Sequence, residues 1–394
     1  MKEVRFGIVG IGNMGSSHAK NLFDSKINGA VLCAVCDTDP QKRNWAEESL
    51  PGVRIYENYS DLLSDNEIDA VIIATPHYLH PVIAIEAFEN GLNVLTEKPA
   101  GVYVQKVLEM NAAAEKSGKV FGIMYNQRTN PIFRKAREII SSGEAGELKR
   151  VVWIITNWYR RQEYYDSGSW RATWKDEGGG VLINQCPHNI DILQWIVGMP
   201  SKVTAHCYYG KYHDIEVEDD VSAFFEFPGG ATGALFTSTG ENPGTNRLEL
   251  SCDKAKIVIE NGKLSMWKYN SSEKEYRNFS SEDYKSKVSY VFSEYIPEKC
   301  DSSAHNQILQ NFTNSILFGE ELISPGYDGI RGLTISNAIH LSDWTGKTVE
   351  IPFDDELHKQ FLMEKVKESR PKKITVKDNS IRAGKASSRW DVKW

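Results

Sequence analysis

The chain has 394 residues, 41% hydrophobic and 25% charged, a balance too ordinary for a disordered or fibrous protein and a length too great for one ordinary core, so two domains are expected. A formal net charge of −7 gives no general attraction to phosphate backbones or anionic membranes; it argues against nucleic acid or a membrane as partner and for a small-molecule ligand. No apolar run is long enough to span a bilayer, and Met1 to Gly7 enters a strand instead of a signal segment, so a cytoplasmic location is expected.

Taken in order, Val4 to Val9 predicts a buried strand, after which Gly10-Ile11-Gly12-Asn13-Met14-Gly15 opens a helix. The strand Val31 to Cys36 then ends on Asp37. A G-x-G-x-x-G run between strand and helix, with an acidic strand end about twenty residues on, matches the dinucleotide fingerprint in all its parts. The glycines permit a tight turn and close backbone approach, and the helix N-terminus at Asn13 and Met14 receives the pyrophosphate. The Asp37 carboxylate accepts both ribose hydroxyls of the adenosine and repels the extra phosphate of NADP. Lys42 and Arg43 lie nearby, yet NAD is the expected cofactor and NADP the less favoured one.

The alternation continues with strands near Val53 to Tyr56 and Ala70 to Ala74, one ending at Lys98, and one at Val120 to Tyr125, separated by helical segments. Strand and helix trading places with short links predicts an α/β domain, a doubly wound parallel sheet of the Rossmann kind. Thr75-Pro76-His77 follows one strand directly and faces the cofactor crevice. His77 and His80 are either contacts to the cofactor or plain polar residues at a helix start. In Glu97-Lys98-Pro99 an apolar strand runs into an ionisable Lys followed at once by Pro, which holds the ammonium at the strand's carboxyl end, where such sheets keep their ligands.

Beyond Asn126-Gln127-Arg128 the texture changes. Strands at Leu148 to Thr156, Val203 to Tyr209, Val221 to Phe227, Ala231 to Ser238, Arg247 to Cys252, Lys256 to Glu260 and Lys263 to Lys268 are joined by turns such as Asn261-Gly262. They predict an α+β domain with an open, mainly antiparallel sheet covered by helices on one face. The loop from Trp158 through Tyr164 to Trp170, Arg171 and Trp174 is too aromatic for a solvated loop and too polar for a core. It suits either a carbohydrate, whose C–H faces stack on rings, or a packed or subunit contact. Gly178-Gly179-Gly180 leads toward a helix in which Asn184, His188 and Asp191 stand at four- and three-residue steps, with Pro187 tolerable only at the helix start. Residues 270–301 show no clear period and read as an insertion, and His305 opens a further helix. The Lys- and Arg-rich tail from Lys365 to Trp394 reads as a solvated segment or an arm on a neighbouring subunit. The six cysteines are scattered, and the closest pair, Cys33 and Cys36, points to opposite faces of its strand, so neither a metal site nor a redox pair is implied.

Together the Gly10 to Gly15 run, Ala74-Thr75-Pro76-His77-Tyr78-Leu79-His80, Glu97-Lys98-Pro99 and Gly178-Gly179-Gly180 with His188 and Asp191 resemble the glucose-fructose oxidoreductase / inositol dehydrogenase / rhizopine catabolism protein family, from the first strand to about Pro352. The resemblance implies that Lys98, often before a cis proline in that family, approaches the reacting carbinol and works with His188. Many family members carry Asp where this chain has Asn184, so a carboxylate beside the pair is absent there, which leaves His188 less inclined to hold a proton. The resemblance further implies a homodimer or homotetramer through the free face of the second sheet, and a residue near His305 brought toward the substrate.

The expected layout is therefore an NAD-binding domain over 1–126, a substrate and oligomerisation domain over 127–352 and a basic extension over 353–394. Expected cofactor contacts are Gly10, Gly12, Asn13, Met14, Gly15, Asp37, Thr75, Pro76, His77, His80, Glu97, Lys98 and Gln127. Expected substrate contacts are Lys98, Tyr125, Arg128, Trp158, Tyr164, Trp170, Arg171, Asn184, His188, Asp191 and His305, with Lys98 and His188 catalytic. The expected activity is NAD-dependent oxidation of a secondary hydroxyl of a sugar, cyclic polyol or glycoside, with hydride passing to the nicotinamide and Lys98 and His188 relaying the hydroxyl proton. Two alternatives are a glycoside-cleaving enzyme that cycles a tightly held NAD and a sensor that binds sugar or dinucleotide without chemistry.

Overall fold

Near-continuous apolar runs set the first sheet. In the computed structural model, which describes residues 3–298, 303–370 and 372, β1 (Val4–Val9), β2 (Ala30–Cys36), β3 (Arg54–Tyr56), β4 (Ala70–Ile73), β5 (Asn93–Thr96) and β6 (Phe121–Ile123) form a parallel sheet ordered β3-β2-β1-β4-β5-β6. Every residue of β4 is buried, as a strand with helices on both faces requires. The chain order reverses between β1 and β4, so the crevice that receives ligands in doubly wound sheets opens there, over the Gly10 turn and the Thr75 loop.

The second sheet has nine strands: β7 (Leu148–Ile155), β8 (Lys202–Tyr209), β9 (Glu218–Glu226), β10 (Thr232–Ser238), β11 (Asn246–Cys252), β12 (Ala255–Glu260), β13 (Lys263–Tyr269), β14 (Tyr290–Tyr295) and β15 (Val349–Glu350). Their order is β14-β13-β12-β11-β7-β10-β9-β8-β15, antiparallel at each pairing except the parallel one of β7 with β10. Along β8 and β9 burial alternates. Val203, Ala205 and Phe225 face the helices Pro131–Ser141, Pro187–Val197 and Gly329–Thr345, while Tyr208 and Phe224 stay 47% and 52% exposed on the open face.

Three stretches differ from the sequence expectation. Residues 270–301 contain a helix, Glu273–Phe279, and the edge strand β14 on β13. Because β14 is exposed on both faces, its sequence carries no alternation to reveal it. The helix Ala304–Phe318 lies beneath the first sheet, where Ile308, Leu309 and Phe312 join Val4, Phe6 and Ile8 in one apolar cluster. The dinucleotide half is thus completed by residues far beyond 126. Finally, Lys365 belongs to a capped helix, Asp355–Glu368, whose Asp354 side chain accepts from the Glu356 and Leu357 N–H groups. Arg370 and Lys372 follow it, and the remainder of the basic tail, with Trp390 and Trp394, lies outside the described residues. Among the described residues no helix is long and apolar enough to cross a membrane, and five cysteines are unpaired.

Candidate active site

The turn after β1 is built to receive a dinucleotide. Gly10 has φ +88, and a Cβ there would lie 2.7 Å from the Ala74 carbonyl oxygen; a Cβ on Gly15 would lie 1.8 Å from that of Gly10. The two residues must be glycine for the helix to start so close to the sheet. A Cβ on Gly12 would meet only Lys42 Nζ, at 3.8 Å. The helix Asn13–Phe23 has no side-chain cap at Gly12, whereas Asp39 and Asn130 cap their helices by accepting from Gln41 and Ile132 N–H groups. Its first-turn amides are left for an anion, as the pyrophosphate of a dinucleotide would supply. Asp37 stands at the end of β2 and accepts from the Ile11 and Asp39 amides at 2.9 and 3.0 Å. Lys42 Nζ is 3.7 Å from Asp37 Oδ2, and Arg43 pairs with Glu57 at 3.2 Å, so both nearby cations have carboxylate partners of this chain. Across the crevice the Thr75 hydroxyl is buried and without a hydrogen-bond partner.

At the end of β5 the Lys98–Pro99 peptide is cis, and Lys98 Nζ donates to the Asn184 carbonyl oxygen at 2.9 Å. Burial pulls the Lys98 pKa down, opposed by the charges of Glu97 and Glu177 and assisted by those of Arg171 and Arg160. His188, in the first turn of the helix Pro187–Val197, is held well below the ordinary imidazole range by burial and by the charge of Lys98. Its Nδ1 is buried with no hydrogen-bond partner, and its ring meets Tyr125 edge-on at 6.2 Å. Asn184 lies in the turn before that helix, so it does not share a helical face with His188 and Asp191; the helix begins only at Pro187. Asn184 Nδ2 donates to Glu177 Oε1 and, at 3.2 Å, to the Tyr164 hydroxyl. A carboxylate therefore does stand beside the amide, brought by Glu177, which the sequence reading did not single out.

Several of the expected contacts are also bonded to neighbouring loops and side chains. His80 places its two ring nitrogens 2.7 Å from the Pro99 and Thr75 carbonyl oxygens, between those loops, and the single N–H of the neutral ring donates to one of them. His77 Nδ1 lies 3.0 Å from the Glu177 carbonyl oxygen, and its ring meets Trp170 at 5.5 Å. Glu97 is 2.8 Å from His18 Nε2. Burial raises the Glu97 carboxyl, but the bond to His18 and the charges of His18, His305 and Lys98 outweigh it and bring it to about 2. His305 lies against His18 at 5.9 Å rather than against the aromatic loop, and burial lowers its pKa to about 4.

Arg128 and Asp191 are a correction to the expected substrate contacts. They are 1% and 0% exposed, with Arg128 Nε and Nη2 donating to the two Asp191 oxygens at 2.8 and 2.6 Å. Arg128 Nη1 donates to Asp328 Oδ2 at 2.7 Å, and Gln194 Nε2 donates to Asp191 at 2.9 Å. Every side-chain nitrogen of Arg128 and both Asp191 oxygens thus have a partner within the protein, and the pair ties the segment after β6 to two helices. Gln127 and Tyr125 are buried in the same segment.

The aromatic loop divides in two. Trp158 is 2% exposed and donates from Nε1 to Asn189 Oδ1 at 3.2 Å, so it supports the loop from inside and has no free ring face. Tyr164 and Trp170 are half-buried, and the Arg171 guanidinium lies over both rings at 4.6 and 4.5 Å and donates to the Tyr164 hydroxyl. The loop is strapped from outside by the C-terminal segment. Glu216 accepts from the Trp174 amide at 2.7 Å and the Arg370 amide at 3.0 Å, and Lys372 Nζ donates to the Tyr165 and Arg171 carbonyls at 2.6 and 3.1 Å.

Comparison with known proteins agrees with this architecture. Residues 4–125 match the oxidoreductase family's NAD-binding Rossmann fold, and residues 133–258 match the GFO/IDH/MocA C-terminal domain. Over 200 residues the chain is 27% identical to an inositol 2-dehydrogenase of Corynebacterium glutamicum, a match covering 50% of this chain and 55% of that protein, so it spans about half the length of that relative. It is 28% identical over 245 residues to a scyllo-inositol 2-dehydrogenase (NAD(+)) of Bacillus subtilis, covering 60% and 67%. The WlbA dehydrogenase of Chromobacterium violaceum, solved with NADH and UDP-GlcNAcA, superposes with a TM-score of 0.76 at 27% identity, over 90% of this chain and 97% of that one. With both domain models matched in their order along the chain, the protein belongs to the GFO/IDH/MocA oxidoreductase family.

Proposed function

We propose that this protein is a cytoplasmic NAD-dependent dehydrogenase that oxidises a secondary hydroxyl of a sugar, cyclic polyol or sugar derivative. The observation that carries the reading is the Lys98 amine, desolvated and held by the Asn184 carbonyl at the mouth of the β1/β4 crevice, with His188 beside it. Bound NAD supplies the hydride acceptor. Lys98, whose burial favours the neutral amine, takes the hydroxyl proton as the carbinol is oxidised. His188, kept neutral, orients the same hydroxyl through a ring nitrogen. The relatives' names, inositol dehydrogenases and a dehydrogenase bound to UDP-GlcNAcA, support a polyol or sugar-derived substrate. The exposed Tyr208 and Phe224 on the open sheet face support the further expectation of a homodimer or homotetramer. The test is NADH formation across inositols, aldoses, sugar acids, glycosides and nucleotide sugars. At least one class is oxidised, with NAD strongly preferred over NADP because Asp37 faces the ribose; equal or better efficiency with NADP contradicts the cofactor assignment.

If the outer part of the aromatic loop recognises the sugar, Trp170→Ala and Tyr164→Ala remove stacking surface without touching cofactor binding. The substrate KM is expected to rise about ten- to a hundredfold, with NAD affinity unchanged. Unaltered kinetics together with a changed assembly size in solution would make the loop a subunit contact instead. Trp158→Ala is expected to lower stability first, since its ring is enclosed.

A further inference from the structure

Glu177 sits where the lysine end of the site meets the substrate loop. It is 1% exposed. Its Oε1 accepts from the Asn184 side-chain Nδ2, and the Asn184 main-chain carbonyl oxygen accepts from Lys98 Nζ at 2.9 Å, so one residue, by its side chain on one side and its backbone on the other, links the carboxylate to the ammonium. Its Oε2 accepts from the N–H of Ala172, a non-glycine residue at φ 55 within the Trp170–Trp174 loop. Holding such a residue in the left-handed region requires an outside constraint, and this bond is one. The Glu177 carbonyl oxygen meets His77 Nδ1 at 3.0 Å, which fixes the loop on the cofactor side.

We propose that Glu177 is a positioning residue for Lys98: it locks Asn184 and the substrate loop in place, and its negative charge, added to that of Glu97, helps set when the Lys98 ammonium gives up its proton. The proposal rests on the reading of Lys98 as the proton carrier. Lys98, Arg171 and Lys372 are the cations that feel or oppose this carboxylate, Glu218 is its anionic neighbour, and Tyr165 and His77 are the other titratable groups facing it; Lys98 itself also faces Glu97, Arg160 and His188. Burial pushes the Glu177 carboxyl up to about 7, against the pull of Arg171 and the bonds from Ala172 and Asn184 and with the help of Glu218. The counter-charge is therefore present above neutral pH and fades below it. An ionised Glu177 favours the ammonium, and its removal favours the free amine.

The test needs no knowledge of the substrate. The reactivity of Lys98 toward acetic anhydride is followed across pH by mass spectrometry on the full chain, in wild type, Glu177→Gln and Glu177→Asp, with NAD affinity as the check on folding. In Glu177→Gln the Lys98 midpoint is expected to fall by about one pH unit, and in Glu177→Asp, which keeps the charge, to stay near wild type. An unmoved or raised midpoint in Glu177→Gln overturns the proposal. Should Glu177→Gln not fold, Glu177→Asp decides alone, a fall of a full unit despite the kept charge overturning it. If the labelling shift is seen while Lys98→Met still turns over, the reading of Lys98 as proton carrier fails, and what stands is only that Glu177 sets the charge of Lys98.

Discussion

Lys98→Met abolishes most turnover while NAD still binds: kcat is expected to drop about a thousandfold, in the range of a lost general base. The side chain is close in volume, so packing at the end of β5 survives, but no group remains to take the carbinol proton. Lys98→Arg does not restore the rate, because a guanidinium keeps its proton under all working conditions. The pH dependence has a definite sign. Burial lowers the Lys98 pKa, so oxidation gains rate as pH rises through that lowered value, and the variant loses this limb of the profile. Initial rates and NAD titrations check the result; a Lys98→Met protein with full turnover removes Lys98 from the chemistry.

Arg128→Met destabilises the fold by about 3–5 kcal/mol, because it strands the fully buried Asp191 carboxylate without its partner. Replacing both members, as Arg128→Met with Asp191→Leu, is expected to cost less than the sum of the single changes, since no unpaired charge remains. Denaturant unfolding of the three variants measures this directly. A wild-type midpoint for Arg128→Met, accompanied by a raised substrate KM, would return Arg128 to the substrate and deny the pair its structural role.

The dinucleotide turn was legible in the sequence because its signal is local: Gly10 and Asp37 stand at strand ends whose apolar runs are themselves unambiguous, and Gly15 lies in the first turn of the helix that follows. The place of Lys98 was legible for the same reason, as a strand that runs into Lys-Pro has one way to leave the sheet. Glu177 had no such mark. It is a single carboxylate before a glycine run, and its burial comes from the fold around it: Glu218 of β9 receives the Gly180 amide at 2.9 Å, and the loop carrying Ala172 closes on its other side. The pairing of Arg128 with Asp191 spans 63 residues of chain, and each member looks like a polar site residue until the partner is known. Asn184 was placed on a helix face by spacing alone, whereas the helix starts only at Pro187, so the preceding turn aims its side chain at Glu177. The helix Ala304–Phe318 has the apolar spacing of any amphipathic helix, and nothing in that spacing says which sheet it covers.

The central claim, net oxidation by hydride transfer to NAD, is tested most directly by the stoichiometry of a limiting turnover with an accepted carbohydrate. NADH formed is counted against substrate consumed, in wild type and in Lys98→Met. The account predicts one NADH for each substrate oxidised by the wild type and none on the same timescale from the variant. Substrate cleaved and its aglycone released while the NAD pool ends unchanged would contradict it and identify a redox-neutral enzyme instead.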